Sequence, residues 1–329
     1  MAGTFTIAEK ELRDQIGSKR FLIIFGFMVL LSVLAAYQGS DFIRNNTDAT
    51  FVFIFSGSQL GFSFIQIMVM FGPILGMAFG FDAINKERST GTLSMLLGQP
   101  IFRDSVINGK FLAGAASLAT LGIGTIAITT GLAIPMLGYG PSVTEALKIV
   151  TLALITVLYL VFWLSLGMLF SVVVKKTSTS ILFSIATWMF FSIILTILAS
   201  AIVNVVIPLP SDMFITSGDT GSSGGTGDSG GAGRFQMTDQ FRQVMMQRTQ
   251  LENTILRISP VHIFQNMAGA IIGTARGFNF GAQEFQRTVS LGEALMSNWA
   301  SIAILAVGLV ICFAASYMLF LRTEIRPGD

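Results

Sequence analysis

The sequence predicts an all-α integral membrane protein with six transmembrane helices, an N-terminal amphipathic interfacial helix and an extracytoplasmic helical segment between spans five and six. Three observations predict it. Of 329 residues, 52% are hydrophobic and 12% charged, with a mean hydropathy of +0.72, whereas soluble domains carry about 25% charged residues. The charges cluster, leaving uncharged runs at 21–40, 49–81, 111–144, 149–174, 177–211 and 294–321; about twenty apolar residues cross a bilayer as a helix. No run alternates with the period of two that a membrane barrel requires, so the backbone must satisfy itself within helices. The spans are expected at 21–38, 59–81, 111–135, 149–173, 179–206 and 298–321.

Residues 4–18, TFTIAEKELRDQIGS, place Phe5, Ile7, Ala8, Leu12 and Ile16 near one helical face with charges opposite, as in a helix lying in the membrane interface. The charges of residues 1–20, with no short apolar core before a small-residue cleavage site, argue against a cleaved signal peptide. Orientation follows the Lys and Arg of short loops. Twelve lie on the side of the N-terminus, the 82–110 loop, Lys175, Lys176, Arg322 and Arg326, and two, Arg44 and Lys148, in the short loops opposite. Both termini are therefore expected in the cytoplasm and 207–297 outside, which divides the chain into 1–206, 207–297 and 298–329.

The second span carries Gly72, Gly76 and Gly80 at intervals of four. Such a stripe lets another helix approach closely, within the chain or across a dimer seam. Pro73 removes a backbone donor and is expected to kink the span. The spans hold no charge, and among their polar residues Gln59, Gln66, Tyr159, Ser165 and Asn204, Gln66 and Asn204 are candidates to line a cavity. In the outer segment, 216–233 is a Gly/Ser/Thr/Asp linker. An amphipathic helix is expected over 236–258. A second helix, within 259–273, starts with Ser259 as its N-cap and Pro260 in its first turn. A helical cap resting on the outer membrane surface is the expected arrangement, with a partial re-entry at 263–273 as the alternative.

Several function classes are excluded or disfavoured. Spans without charge speak against a proton relay, and no charged ring or filter-like loop suggests a channel. His262 is the only histidine, so a two-histidine zinc motif is impossible, and no metal site is expected. No GxxxxGK[ST] is present: Gly109-Lys110 is followed by Phe111 and preceded by Asp104 at the motif's first glycine. The Gly-rich 216–233 contains no lysine. Cys312 is alone and forms no internal disulfide. The net charge of +2 is dispersed at span borders and implies no nucleic-acid partner. No catalytic residue is assigned.

One charged island interrupts the uncharged runs: NKERSTGTLSMLLGQPIFRD, residues 85–104. Leu93, Leu96 and Leu97 share a face of a short helix that Gly98 ends and Pro100 stops. Asp82, Lys86, Glu87, Arg88, Arg103 and Asp104 flank that face. The residues alone fit a docking knob or a helix lying on the bilayer equally well. The ordered set Glu87, Gly91-Thr92-Leu93, Leu96-Leu97, Pro100, Arg103 and Gly109-Lys110, with AEKELRDQIGSKRF (8–21), ISPVHIF (258–264) and FLRTEIR (320–326), resembles the permeases of the type-2 ABC exporter family. Within that family the likeness runs to the six-span membrane subunits of transporters that mature nitrous-oxide reductase. It covers nearly the whole chain apart from 207–257, and the long outer segment with its linker has no counterpart in the pattern.

The resemblance implies a half-transporter. Two permeases, as a homodimer or heterodimer, would work with separate ATP-binding cassette subunits that hold ATP and Mg, with no cofactor on this chain. The 82–110 loop would contain a coupling helix seated on the ATPase. Leu93, Leu96 and Leu97 would supply its apolar contact, Glu87 and Arg103 its polar contacts and Gly91 a close backbone approach, with Thr92 and Pro100 in the same ATPase-coupling set. Export across the cell membrane is the implied function. The alternative is a membrane anchor or assembly component that relays ATPase motion to an extracytoplasmic partner without moving a solute.

Overall fold

Serines and charges stop the apolar runs and so set the helix ends. In the computed structural model, residues 2–46, 49–56, 63–89, 103–174, 176–208, 239–273 and 290–322 are described. Helix α1 spans Ala2–Ile16 and α2 Lys19–Asn45. Ser18 joins them: its hydroxyl donates to the Gln15 carbonyl at 2.6 Å and accepts from the Phe21 amide, capping α2. A 3-10 turn, Phe51–Phe55, precedes α3, Phe64–Gly80, which Ser63 caps through the Gln66 amide. The short α4 is Asn85–Ser89. Then follow α5, Arg103–Leu137, and α6, Val143–Val173. Ser142 and Glu145 close a capping box at the head of α6, satisfying two orphan amides. Helix α7, Thr177–Met189, continues through a π-turn, Phe190–Ile194, into α8, Leu195–Val206. Helices α9, Asp239–Leu256, and α10, Pro260–Ile272, lead to α11, Leu291–Arg322.

Six of these stretches are long and apolar enough to cross a membrane: α2, α3 with α4, α5, α6, α7 with α8, and α11. The described residues contain no strand. The fold is thus the all-α multi-pass architecture expected. Helix α2 outruns its expected span of 21–38 because the polar residues Ser40, Asp41 and Arg44 simply continue it.

The bundle is built around α3 and α6. A Cβ added at Gly76 would lie 2.5 Å from the Trp163 Cβ and 2.6 Å from the Leu160 carbonyl oxygen. One added at Gly72 would strike Tyr159, and one at Gly80 the Leu164 carbonyl oxygen at 2.6 Å. The stripe therefore faces α6 of the same chain, and the two backbones approach as only small residues permit. Helices α2 and α5 flank this pair and α11 packs on α6. The outer sides of α7, α8 and α11 expose Leu182, Phe183, Ile197 and Ile311, as helices facing lipid do.

The bundle has two ends. The near end carries α1, which lies along the first turns of α5, Ile7 against Gly109. The far end carries α9 and α10. Two features there differ from the expected pattern. The FVFIF turn is a wedge: Phe51, Val52, Ile54 and Phe55 are all buried, and the Phe51 amide donates to Glu145 at 2.7 Å. Helix α10 enters the bundle instead of resting on it. Its Val261, Phe264, Ala268 and Ile271 form one buried face. Phe264 stacks on Tyr159 with ring centroids 4.3 Å apart, and the Tyr159 hydroxyl meets the Val69 carbonyl at 3.4 Å. Val69 lies five residues, about 7.5 Å at the helical rise, inside the start of α3. Gly273, at φ 94°, ends α10 in the left-handed conformation that favours glycine.

Candidate functional site

The near end gathers the ends of the 85–104 island. Lys110, in the second turn of α5, is 7% exposed. A buried ammonium is costly unless paired, and here two carboxylates pair it. Its Nζ lies 2.7 Å from Glu87 Oε1 of α4 and 3.0 Å from Glu11 Oε1 of α1. One lysine thus ties the beginning of the island to α5, the helix that follows it, and both to the amphipathic helix. Ser117 of α5 adds a second tie, donating to the Gln15 side chain at 2.8 Å.

Two further clamps fix where α3 hands over to α4. The Ser171 hydroxyl, on the last turn of α6, accepts from the amides of Ile84 at 3.0 Å and Asn85 at 3.1 Å. Arg20, at the start of α2, pairs with Asp82 at 2.8 Å, donates to the Ala78 carbonyl and lies over the Phe81 ring at 5.1 Å. Four helices therefore hold the segment's root. The Asn85 side chain is fully buried beside it, and among the described residues neither of its amide atoms has a hydrogen-bond partner. Such a group carries a desolvation cost.

The sequence-selected residues divide into three sets. Glu87 is in the cluster, and Arg103 opens α5, exposed. Gly91, Thr92, Leu93, Leu96, Leu97 and Pro100 lie outside the described residues. Gly72, Gly76 and Gly80 pack within the chain. Sequence reasoning missed Glu11, Lys110 and Ser171. Lys110 had a signal, since it closes the motif that begins at Glu87; nothing local marks Glu11 among the other charges of α1.

The far end holds a polar cleft of about 1000 Å³ between the head of α3, α8, α9, α10 and the head of α11. Gln66 lines it with Glu252, Asn253, Arg257, Gln265 and Asn266. His262 also lines it, with its Nε2 3.3 Å from Asn253 Oδ1, and burial pushes its imidazole below the ordinary histidine range. Asn204 is not among the lining residues; with the Ile207 carbonyl it accepts from Arg248, pinning α9 to α8. Among the described residues, no group of three or more His, Cys, Asp or Glu side chains is placed to hold a metal ion.

Comparison with known proteins adds the following. The sequence profile described as "ABC-2 family transporter protein" matches residues 5–325. The chain is 31% identical over 139 residues to the "Probable ABC transporter permease protein NosY" of Pseudomonas aeruginosa, covering 39% of this chain and 46% of that one. It is 27% identical over 143 residues to the protein of the same name from Stutzerimonas stutzeri, covering 40% and 47%. The matched region thus spans about half the length of these curated relatives.

Proposed function

The chain belongs to the ABC-2 family of transporter proteins, and from that premise we propose that it is the non-catalytic, membrane-spanning permease subunit of an ABC transporter that exports its substrate across the cell membrane. The observation that carries the reading is the Lys110 cluster. It joins the start of the 85–104 segment, the helix α5 that follows the segment and α1 into one body at the root of the bundle, which is what a segment needs if a push on its tip is to move helices and not merely bend a loop. Hydrolysis belongs to a separate ATP-binding cassette chain that holds ATP and Mg. Leu93, Leu96 and Leu97 dock on it, with Gly91, Thr92, Pro100 and Arg103 shaping the contact. Both termini are cytoplasmic, and two permeases form the working pair. Closure of the ATPases tilts the bundle as a rigid body between inward- and outward-facing states.

A photo-reactive amino acid in place of Leu96 tests this. It should capture a nucleotide-binding protein in intact membranes, while the same group in place of Tyr139, at the far end, should not. Capture from position 139 alone, or from neither, overturns the reading. The second reading, an anchor that relays ATPase motion to an extracytoplasmic partner, draws its support from the helices and polar cleft of the far end. It predicts ATPase capture with no solute flux in reconstituted vesicles.

A further inference from the structure

We propose that the far-end cleft is a binding site for a zwitterionic ammonium–phosphate group, presented by the headgroup of a phospholipid such as phosphatidylethanolamine. The first argument is chemical. Glu252 and Arg257 both line the cleft, yet among the described residues neither forms a salt bridge or a side-chain hydrogen bond. One cleft therefore offers an unengaged carboxylate to an ammonium and an unengaged guanidinium to a phosphate, the fork that suits it. Gln66, Gln265 and Asn266 line the same space, and among the described residues their side chains have no hydrogen-bond partner. They supply both donors and acceptors for ester and phosphate oxygens and for the ammonium hydrogens. A site with equal opposite charges prefers a ligand with both over a ligand with either.

The second argument is depth. Thr196 lines the cleft and lies nineteen residues beyond the near-end start of α7, about 28 Å at the helical rise. Ser301 lines it from α11, twenty-one residues before Arg322, about 32 Å. The hydrocarbon core of a bilayer is about 30 Å thick. The cleft thus opens one core thickness from the near end, at headgroup level. The apolar outer faces of α8 and α11 beside it, Ile197 and Val307 among them, give acyl chains a surface to follow.

Binding of this kind requires neither the ATPase nor a second permease, so its test is separate from that of the transport reading. The full chain, purified in detergent, is titrated with dihexanoyl phosphatidylethanolamine, dihexanoyl phosphatidylglycerol and glycerophosphoethanolamine. The wild type should bind the ethanolamine lipid about tenfold more tightly than the glycerol lipid, the worth of one charge-assisted bond. Glu252→Gln should abolish that preference, with phosphatidylglycerol bound at least as tightly as by the wild type because a repelling carboxylate is gone, and unchanged helicity by circular dichroism shows that the variant is folded. Arg257→Gln should weaken both lipids about tenfold. Equal affinity of the wild type for both lipids, or a preference that survives Glu252→Gln, overturns the proposal. Glycerophosphoethanolamine binding as tightly as the diacyl lipid overturns the lipid source and assigns the cleft to a soluble zwitterion.

Discussion

Replacing Lys110 by methionine probes the root of the 85–104 segment most directly. Methionine fills much of the same volume and leaves Glu11 and Glu87 facing each other across a site that no longer holds a cation. At about 4 Å and an effective dielectric near 20, each lost attraction is about 4 kcal/mol before solvation is counted. Removing one partner of a buried pair typically costs about 3–5 kcal/mol net. Glu11 and Glu87 retain 25% and 15% exposure, so water rescues part of their charge and the low end, about 3 kcal/mol, applies. The triple variant Lys110→Met, Glu11→Gln, Glu87→Gln removes the stranded charges with the lysine, and its cost should fall to about 1 kcal/mol. The assay is equilibrium unfolding in mixed micelles of dodecyl maltoside and SDS, followed by tryptophan fluorescence. A triple variant no more stable than the single one would refute the reasoning, because the loss would then not come from uncompensated charge.

Three further outcomes are expected. Gly76→Leu should cost at least about 3 kcal/mol, since its Cβ meets Trp163 and the Leu160 backbone and overpacking against backbone has little room to relax; Gly131→Ala, with nothing within 4 Å of the new Cβ, should be neutral or slightly stabilising, and the monodisperse yield on size exclusion compares them. Ser171→Ala strands the buried amides of Ile84 and Asn85 and should cost about 2 kcal/mol, read as a lowered unfolding midpoint with native helicity retained. His262 is held below the ordinary histidine pKa by burial, so the unfolded chain binds its proton more readily. Its contribution to stability should therefore be fully present above about pH 7 and decline as pH falls through 6.5. His262→Gln should flatten that part of the melting-temperature profile.

The six spans were legible because charge-free runs long enough to cross a bilayer can hardly be anything else, and Ser259-Pro260 announced α10 through capping chemistry alone. Gly72, Gly76 and Gly80 announced a close contact but not its partner, since a stripe of small residues is silent about what approaches it. The FVFIF turn was hidden because a buried 3-10 wedge and a membrane-facing run share the same composition. Whether α10 rests on the bundle or enters it turns on Tyr159 and Phe264, more than a hundred residues apart, whose stacking no local pattern encodes. The near-end cluster was half legible. Glu87 and Lys110 bracket one motif, but Glu11 joins only once α1 folds back on α5. The cleft was legible at Gln66 alone. Asn204 read equally well as a lining residue until Arg248, on a helix packed from outside, occupied it.

The account's central claim is that this chain works with a separate ATPase docked on 85–104. Gentle purification of the tagged chain from its native membrane, with the companions weighed by mass spectrometry, tests it directly. The account predicts a stoichiometric protein with a Walker motif, lost when Leu93 and Leu96 are both replaced by aspartate while the chain still inserts in the membrane. A chain that comes through as a stable oligomer without an ATPase, or one that keeps its ATPase in that variant, would contradict it.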